Sequence, residues 1–226
     1  MLPIYPLKRP RTLTEQAADA IRARIVSGDF QLGEALSEIT LAAELGVSKT
    51  PVREAFLQLK NEGLVEIQPQ RGTFVFQMTS EQIRQLTAFR ELLEVEALRI
   101  AMRINAAALG DVLHRIVDSM TDAVAAGDSR LYRQIDNDFH QDIIVACGNP
   151  FIQSAYSSIA FRVQALRNRL SLQPEQNHRS LEEHRQLASI VKSGESDTAA
   201  KRLLDHIRAT LREYITIVEK APPPLA

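Results

Sequence analysis

The chain of 226 residues contains one cysteine, Cys147. A single thiol excludes an internal disulfide and any zinc site built from several cysteines, and it fits a reducing compartment. No apolar run is long enough to span a bilayer, and the opening MLPIYPLKRPR lacks the apolar block of a signal peptide. A cytoplasmic protein without a membrane partner is expected. Charge of one sign is also missing: the formal net charge is −1, so a broadly basic nucleic-acid binder is excluded and any basic footprint must be local. No internal repeat is present. What the chain does have is a 45% hydrophobic composition, enough for a sizeable core and one or two domains.

Residues 1 to 11 combine three prolines with Lys8, Arg9 and Arg11 and read as a flexible basic arm. Thr12 and Glu15 have capping-box spacing, and Ala17, Ile21 and Ile25 follow with helical period until Gly28. A second helix starts near Ser37 and stops at Gly46. A third follows, capped by Ser48, with Val52, Ala55, Phe56 and Leu59 on its apolar face. Beyond Gly63, LVEIQPQRGTFVF offers two β-favouring runs around a turn at PQRG, which predicts a hairpin. From Thr79 strand signals vanish. Six helical segments are expected at about 79 to 105, 108 to 126, 129 to 147, 150 to 172, 177 to 194 and 196 to 219, cut at AAGDS, CGNP, QPEQN and KSGES. The expected architecture is mainly α: a winged helix-turn-helix domain over 12–77, then an antiparallel helical bundle over 78–220, with a disordered tail at 221–226.

Three short helices and a hairpin suggest that the third helix enters the DNA major groove. With its apolar face turned inward, Lys49, Thr50, Arg53 and Lys60 are left outward, and Arg71 sits at the hairpin tip. Arginine can pair bidentately with guanine, while Lys and Thr reach phosphates or single acceptors. Charge alone decides nothing here, since residues 1 to 77 hold nine basic and nine acidic side chains. The order of elements carries the reading.

SEITLAAELGVSKTPVREAFLQLKNEGLVEIQPQRGTFV resembles the reader domain of GntR-type bacterial transcription regulators, most specifically in GVSKTPVREA, GLVE and RGTFV. The resemblance implies that Lys49, Thr50 and Arg53 contact operator DNA from the third helix, with Arg71 and Gly72 in the wing. Ile39 and Lys49 stand where that family often has arginine. Replacing arginine by lysine exchanges a bidentate fork for a point charge.

Later helices place polar residues on apolar faces. In QIDNDFHQDIIVAC, Asp136 and His140 stand four apart on a face that overlaps the stripe of Ile135, Phe139, Ile143 and Cys147. His184 lies among Leu181, Leu187, Ala188 and Val191, and His206 among Ala199, Leu203 and Thr210. A lone buried histidine is more often hydrogen-bonded core than ligand, and Asp136 could pair with a basic neighbour. Four such residues from three helices could instead hold a divalent metal ion: zinc, nickel, iron or manganese. This part of the chain is similar to the FCD class of GntR regulators, and DNDFH, EEHRQL and LLDHI match its Asp-x3-His and two later histidines in order and type. The resemblance implies metal ligation by Asp136, His140, His184 and His206. His114 and His178 have no such match and are expected to be ordinary, partly exposed side chains.

Arg90 occupies a seam position in the series Ile83, Leu86, Arg90, Leu93, Ala97, Ile100, Ile104. A buried guanidinium needs an anion, either a carboxylate such as Glu94 or a bound acid. The resemblance favours the acid, since a segment similar to FRELLE lines the effector cavity of that class, and Asn149 and Arg162 resemble further cavity positions. The resemblance implies a homodimeric, ligand-responsive regulator, with repression as the expected output, that binds double-stranded operator DNA and senses a small carboxylic acid, with effector binding changing the placement of the readers. The rival reading is a metal-dependent hydrolase or other metalloenzyme. No HExxH is present, although Glu182 and Glu183 beside His184 offer a candidate general base.

Overall fold

The computed structural model describes residues 10–170 and 174–220. Most of the expected arm, the tail and the connection at 171–173 lie outside the described residues.

The N-terminal unit is built in the expected order with one added strand. Helix α1 (Leu13–Ser27) begins at a complete Thr12–Glu15 capping box and ends at Gly28, whose φ of 89° suits a residue without a Cβ. Strand β1 (Ala35–Leu36) follows. Helix α2 (Glu38–Leu45) is capped by the Ser37 side chain, and helix α3 (Lys49–Asn61) starts after Ser48. Ser48 stands at the cap but makes no side-chain cap bond, so only its position agrees with expectation. Strands β2 (Val65–Gln68) and β3 (Gly72–Val75) form the hairpin, with Gln68 opposite Gly72. The two residues of β1 add to the outer side of β3, giving the order β1-β3-β2. Their shortness explains why no alternation revealed them: two residues cannot show a period. Val52, Ala55, Phe56 and Leu59 of α3 are buried with Ala18, Ile21 and Ile25 of α1, the burial that holds the third helix against the unit while its other face stays exposed.

The C-terminal part is an all-helical bundle. Helix α4 (Ser80–Ala125) opens at a Thr79–Gln82 capping box and is broken at Asn105, where φ is −164° and ψ 86°. The Asn105 side chain accepts the Ala108 amide at 2.9 Å, so the break is a new N-cap inside one continuous run. The two segments expected at 79 to 105 and 108 to 126 are therefore the two limbs of α4. Helices α5 (Ser129–Ala146), α6 (Pro150–Leu170), α7 (Pro174–Ser193) and α8 (Ser196–Lys220) complete the bundle. QPEQN is not wholly a break: α7 already starts at Pro174, a residue favoured in a first helical turn because its missing amide hydrogen has no partner there. Ile104, counted in the inward series, is 65% exposed, and the buried residues of that last turn before the break are Ala101 and Met102.

α4 is the central element, packed on α5, α7 and α8. Its approach to α7 is set by Gly110: a Cβ there would lie 2.7 Å from the Lys192 Cα. Alanine would gain about 1 kcal/mol of helix propensity but would have to displace backbone, and overpacking of this kind costs about 1–3 kcal/mol. Gly110→Ala is therefore expected to lower the thermal unfolding midpoint. A raised midpoint would mean that α7 shifts without cost.

Candidate functional site

Three helices bring the polar residues of the bundle together. His140 comes from α5, His184 from α7 and His206 from α8, and all three are buried. One ring nitrogen of each lies within 4.8 Å of those of the other two. The remaining nitrogens are all engaged. His140 Nδ1 is 2.8 Å from Glu94 Oε2, His184 Nδ1 is 2.7 Å from the Ser180 carbonyl, and His206 Nδ1 is 2.7 Å from Glu183 Oε2. Carboxylates and carbonyls only accept, so each Nδ1 carries the proton and each Nε2 keeps a lone pair. His140 and His184 show the result directly, with their Nε2 atoms 3.5 Å apart.

Two imidazole lone pairs at that distance have no proton between them. Burial, with Arg167 adding to it, pushes His140 down to about 4, and burial together with His206 holds His184 well below the usual histidine range. His140 and His184 are thus neutral at physiological pH. Three inward-facing nitrogens, each on a ring oriented by an acceptor on its other side, fit a divalent ion of the borderline class. Asp136 adjoins them, with Oδ1 3.5 Å from His184 Nε2 and Oδ2 3.6 Å from Arg167 Nε. Burial pushes its carboxyl up, but Arg167 and the histidines outweigh this and leave it below its ordinary value, so it stays ionised.

A cavity of about 50 Å³ adjoins the cluster, lined among others by Arg90, Arg133, Asp136, Arg167 and His206. Arg90 is 1% exposed, and its Nε donates to Glu94 Oε1 at 2.8 Å. The carboxylate that satisfies the buried guanidinium is therefore the neighbour one turn away, and the same carboxylate orients His140. Burial raises the Glu94 carboxyl, yet Arg90 and His140 hold it well below the usual carboxylate range. Arg90 Nη1 is buried without a hydrogen-bond partner, so the ion pair leaves part of the fork available to a further acceptor.

The other two expected effector positions lie elsewhere. Asn149 is the cap of α6: its side chain accepts the Phe151 and Ile152 amides at 3.0 and 3.3 Å. Arg162 lies against Gly63, whose Cβ, if present, would be 2.7 Å from the guanidinium carbon. It faces the junction of α3 and β2, not the cavity. His178 is exposed and His114 half-buried with Nδ1 2.7 Å from the Gly110 carbonyl.

Sequence reasoning missed Arg167, which is 8% exposed and lies within 3.7 Å of Glu94 as well as near Asp136. The signal that revealed Arg90 was available for it, since Arg167 follows Val163 by four residues on the stripe that also includes Leu166. The orienting role of Ser180 could not have been found, because it belongs to a backbone carbonyl. Glu183, considered as a general base, is engaged by His206, and Glu182 is exposed and bonded to Arg185 at 2.8 Å.

At the opposite end of the molecule, Lys49, Thr50, Arg53 and Lys60 are exposed on α3, and Arg71 and Gly72 are exposed at the hairpin tip. Arg53 is not loose. Its Nε and Nη2 donate to the two oxygens of Glu38 at 3.1 and 2.9 Å, and this pairing lowers the Glu38 carboxyl below its ordinary value. Ile39, in the place of a possible basic contact, is 64% exposed. No helix among the described residues is long and apolar enough to cross a membrane.

Comparison with known proteins agrees with both halves. Residues 13–75 match the bacterial regulatory proteins of the gntR family, and residues 85–209 match the FCD domain. The gluconate operon transcriptional repressor of Bacillus subtilis (strain 168) is 30% identical over 197 residues, covering 84% of this chain and 81% of that protein. A probable D-xylose utilization operon transcriptional repressor of Paenarthrobacter nicotinovorans is 28% identical over 200 residues, covering 88% of each. The solved structure of E. coli McbR/YncC shares the fold, with a TM-score of 0.78 at 20% identity over 92% of this chain and 99% of that one. The chain belongs to the GntR family of DNA-binding transcription regulators and carries an FCD effector domain after its winged helix-turn-helix reader.

Proposed function

We propose that this regulator binds operator DNA as a homodimer in the cytoplasm and represses until a small organic acid enters the bundle cavity, at a divalent ion held by His140, His184 and His206 beside Asp136. The observation that carries the reading is the convergence of three buried imidazoles whose Nδ1 atoms are each tied to a separate acceptor. An ion there would supply Lewis acidity and positive charge. Arg90, through its unpartnered Nη1, would bind the carboxylate and favour an anion over a neutral ligand. Both relatives are described as operon repressors, which supports the sign of the output, and the gluconate operon controlled by one of them is consistent with an acid. Ile104 and Val145, 65% and 54% exposed, line one groove, and they support a dimer, since apolar surface of this kind favours a partner.

Helix α6 is suited to connect the two sites. Arg167 lines the cavity, while the next two residues hold the reader unit: Asn168 Nδ2 donates to the Val26 carbonyl at 2.7 Å, and Arg169 Nη2 donates to the Phe30 carbonyl at 2.8 Å. A displacement of Arg167 by a bound acid would reach the C-terminal end of α1 through one helical turn. Asn168→Ala should therefore leave metal content unchanged while reducing the change in operator affinity on adding acid. An unchanged response, measured by fluorescence anisotropy, would route the coupling elsewhere.

The metal is tested by elemental analysis. Protein purified without chelator should hold about one divalent ion per chain, and His184→Ala or His206→Ala should lose it, because three helices leave no spare imidazole. Full occupancy in both variants would remove these residues from the role.

On the reader, operators selected by the native protein should contain an inverted repeat. Arg53→Ala should weaken binding to them about tenfold or more, while Lys60→Ala should mainly flatten the salt dependence. Undiminished binding by the Arg53 variant across a salt series would show that Glu38 retains the guanidinium in the complex.

A further inference from the structure

Among the described residues, one guanidinium of the cavity has no carboxylate partner. Arg133 lies on α5 one turn before Asp136 and lines the same cavity as Arg90 and His206. Its Nη1 is buried with no hydrogen-bond partner, and it belongs to no ion pair among the described residues. The parts of the chain outside the described residues contain no Asp or Glu, so no side-chain carboxylate there is available to it. Every other guanidinium of the cavity has such a partner: Arg90 has Glu94, Arg167 has Asp136 and Glu94, and Arg179 has Glu213.

Charge balance extends the point. Arg90, Arg133, Arg167 and Arg179 face Glu94, Asp136, Glu183 and Glu213 in and beside the cavity, so four positive and four negative side chains cancel around the imidazoles. An ion of charge +2 on the histidines leaves an excess of about two positive charges, which a partly enclosed site carries only at a cost in solvation. A monocarboxylate removes half of this excess. The unpartnered donor on Arg133 stands where a second anionic group would remove the rest.

We propose that Arg133 is a specificity-determining residue that selects a short dicarboxylate, with one carboxylate at the histidines and Arg90 and the other on Arg133. The size follows from the cavity, which measures about 50 Å³, so an acyclic diacid of three to five carbons is the matching class. This inference rests on the acid-sensing reading of the site, and it makes that reading narrower.

The test uses the full-length protein loaded with metal and two chain-matched series: malonate, succinate and glutarate against propionate, butyrate and valerate. Calorimetric titration of the native protein should show the best diacid binding at least tenfold tighter than its monoacid counterpart, the scale of one charge-assisted contact. Arg133→Gln should remove this preference while leaving monoacid affinity within about twofold, and Arg133→Lys should restore part of it. Arg133 is only half-buried, and an unchanged thermal midpoint of each unliganded variant verifies folding. Equal binding of the two series, or an equal loss of both in Arg133→Gln, overturns the assignment of Arg133 and leaves acid sensing standing. Absence of heat from both series overturns acid sensing itself.

Discussion

The buried carboxylate of Glu94 is the contact on which the bundle's interior depends. It is 1% exposed and accepts from Arg90 Nε and His140 Nδ1, both at 2.8 Å, with Arg167 Nη2 at 3.7 Å. Those groups belong to α4, α5 and α6, so one anion ties three helices. A carboxylate in such a place is tolerable only while it is paired, and removing one partner of a buried pair typically costs about 3–5 kcal/mol. Its second consequence is chemical. By accepting the Nδ1 proton, Glu94 fixes the tautomer of His140 and leaves the lone pair on the nitrogen that faces His184.

The same device recurs twice with different acceptors. A backbone carbonyl, that of Ser180, orients His184 from within its own helix, and Glu183 of α7 orients His206 of α8. Oriented in this way the rings gain nothing from one another: two Nε2 atoms at 3.5 Å repel or at best tolerate each other. Acceptors on the outer side of each ring and lone pairs on the inner side are what a metal site requires of its surroundings. A mere structural brace would be better served by one proton shared between two rings. The rival hydrolytic reading lacks support in the same geometry, because Glu183 is occupied by His206.

How far the sequence discloses this architecture depends on the range of each interaction. Elements with a period or a cap are visible: the Thr12 box, the Gly46 stop, the stripe of α3 and the Thr79 start all rest on residues within four positions of each other. Polar residues interrupting an apolar stripe were equally visible, which is how Asp136, His140, His184, His206 and Arg90 were found. Asn149 and Arg162 came from resemblance alone, and tertiary packing uses both differently, one as a helix cap and the other against Gly63. Strand β1 and the Ser180 carbonyl leave no trace in sequence: a two-residue strand has no period, and a carbonyl is present at every position.

The placement of Arg167 is the last constraint, and it bears on how a site in the bundle can influence a helix that reads DNA. A ligand shifts an equilibrium only by its differential affinity for the two states. A cavity none of whose wall helices touched the reader would supply no such difference to it. α6 breaks that isolation, since Arg167 shares Asp136 and Glu94 with the cluster while Asn168 and Arg169 hold carbonyls at the end of α1. Arg22 of α1 adds a second contact, lying 5.0 Å from the centre of the Phe161 ring. The anchors on the reader side are hydrogen bonds to backbone, so they report the position of α1 itself and are insensitive to its side chains. An anion that drew Arg167 away from Asp136 would alter the end of a helix that also packs on α1. Coupling of about 1–3 kcal/mol, the usual scale between linked sites, then requires the gain or loss of only one or two such bonds.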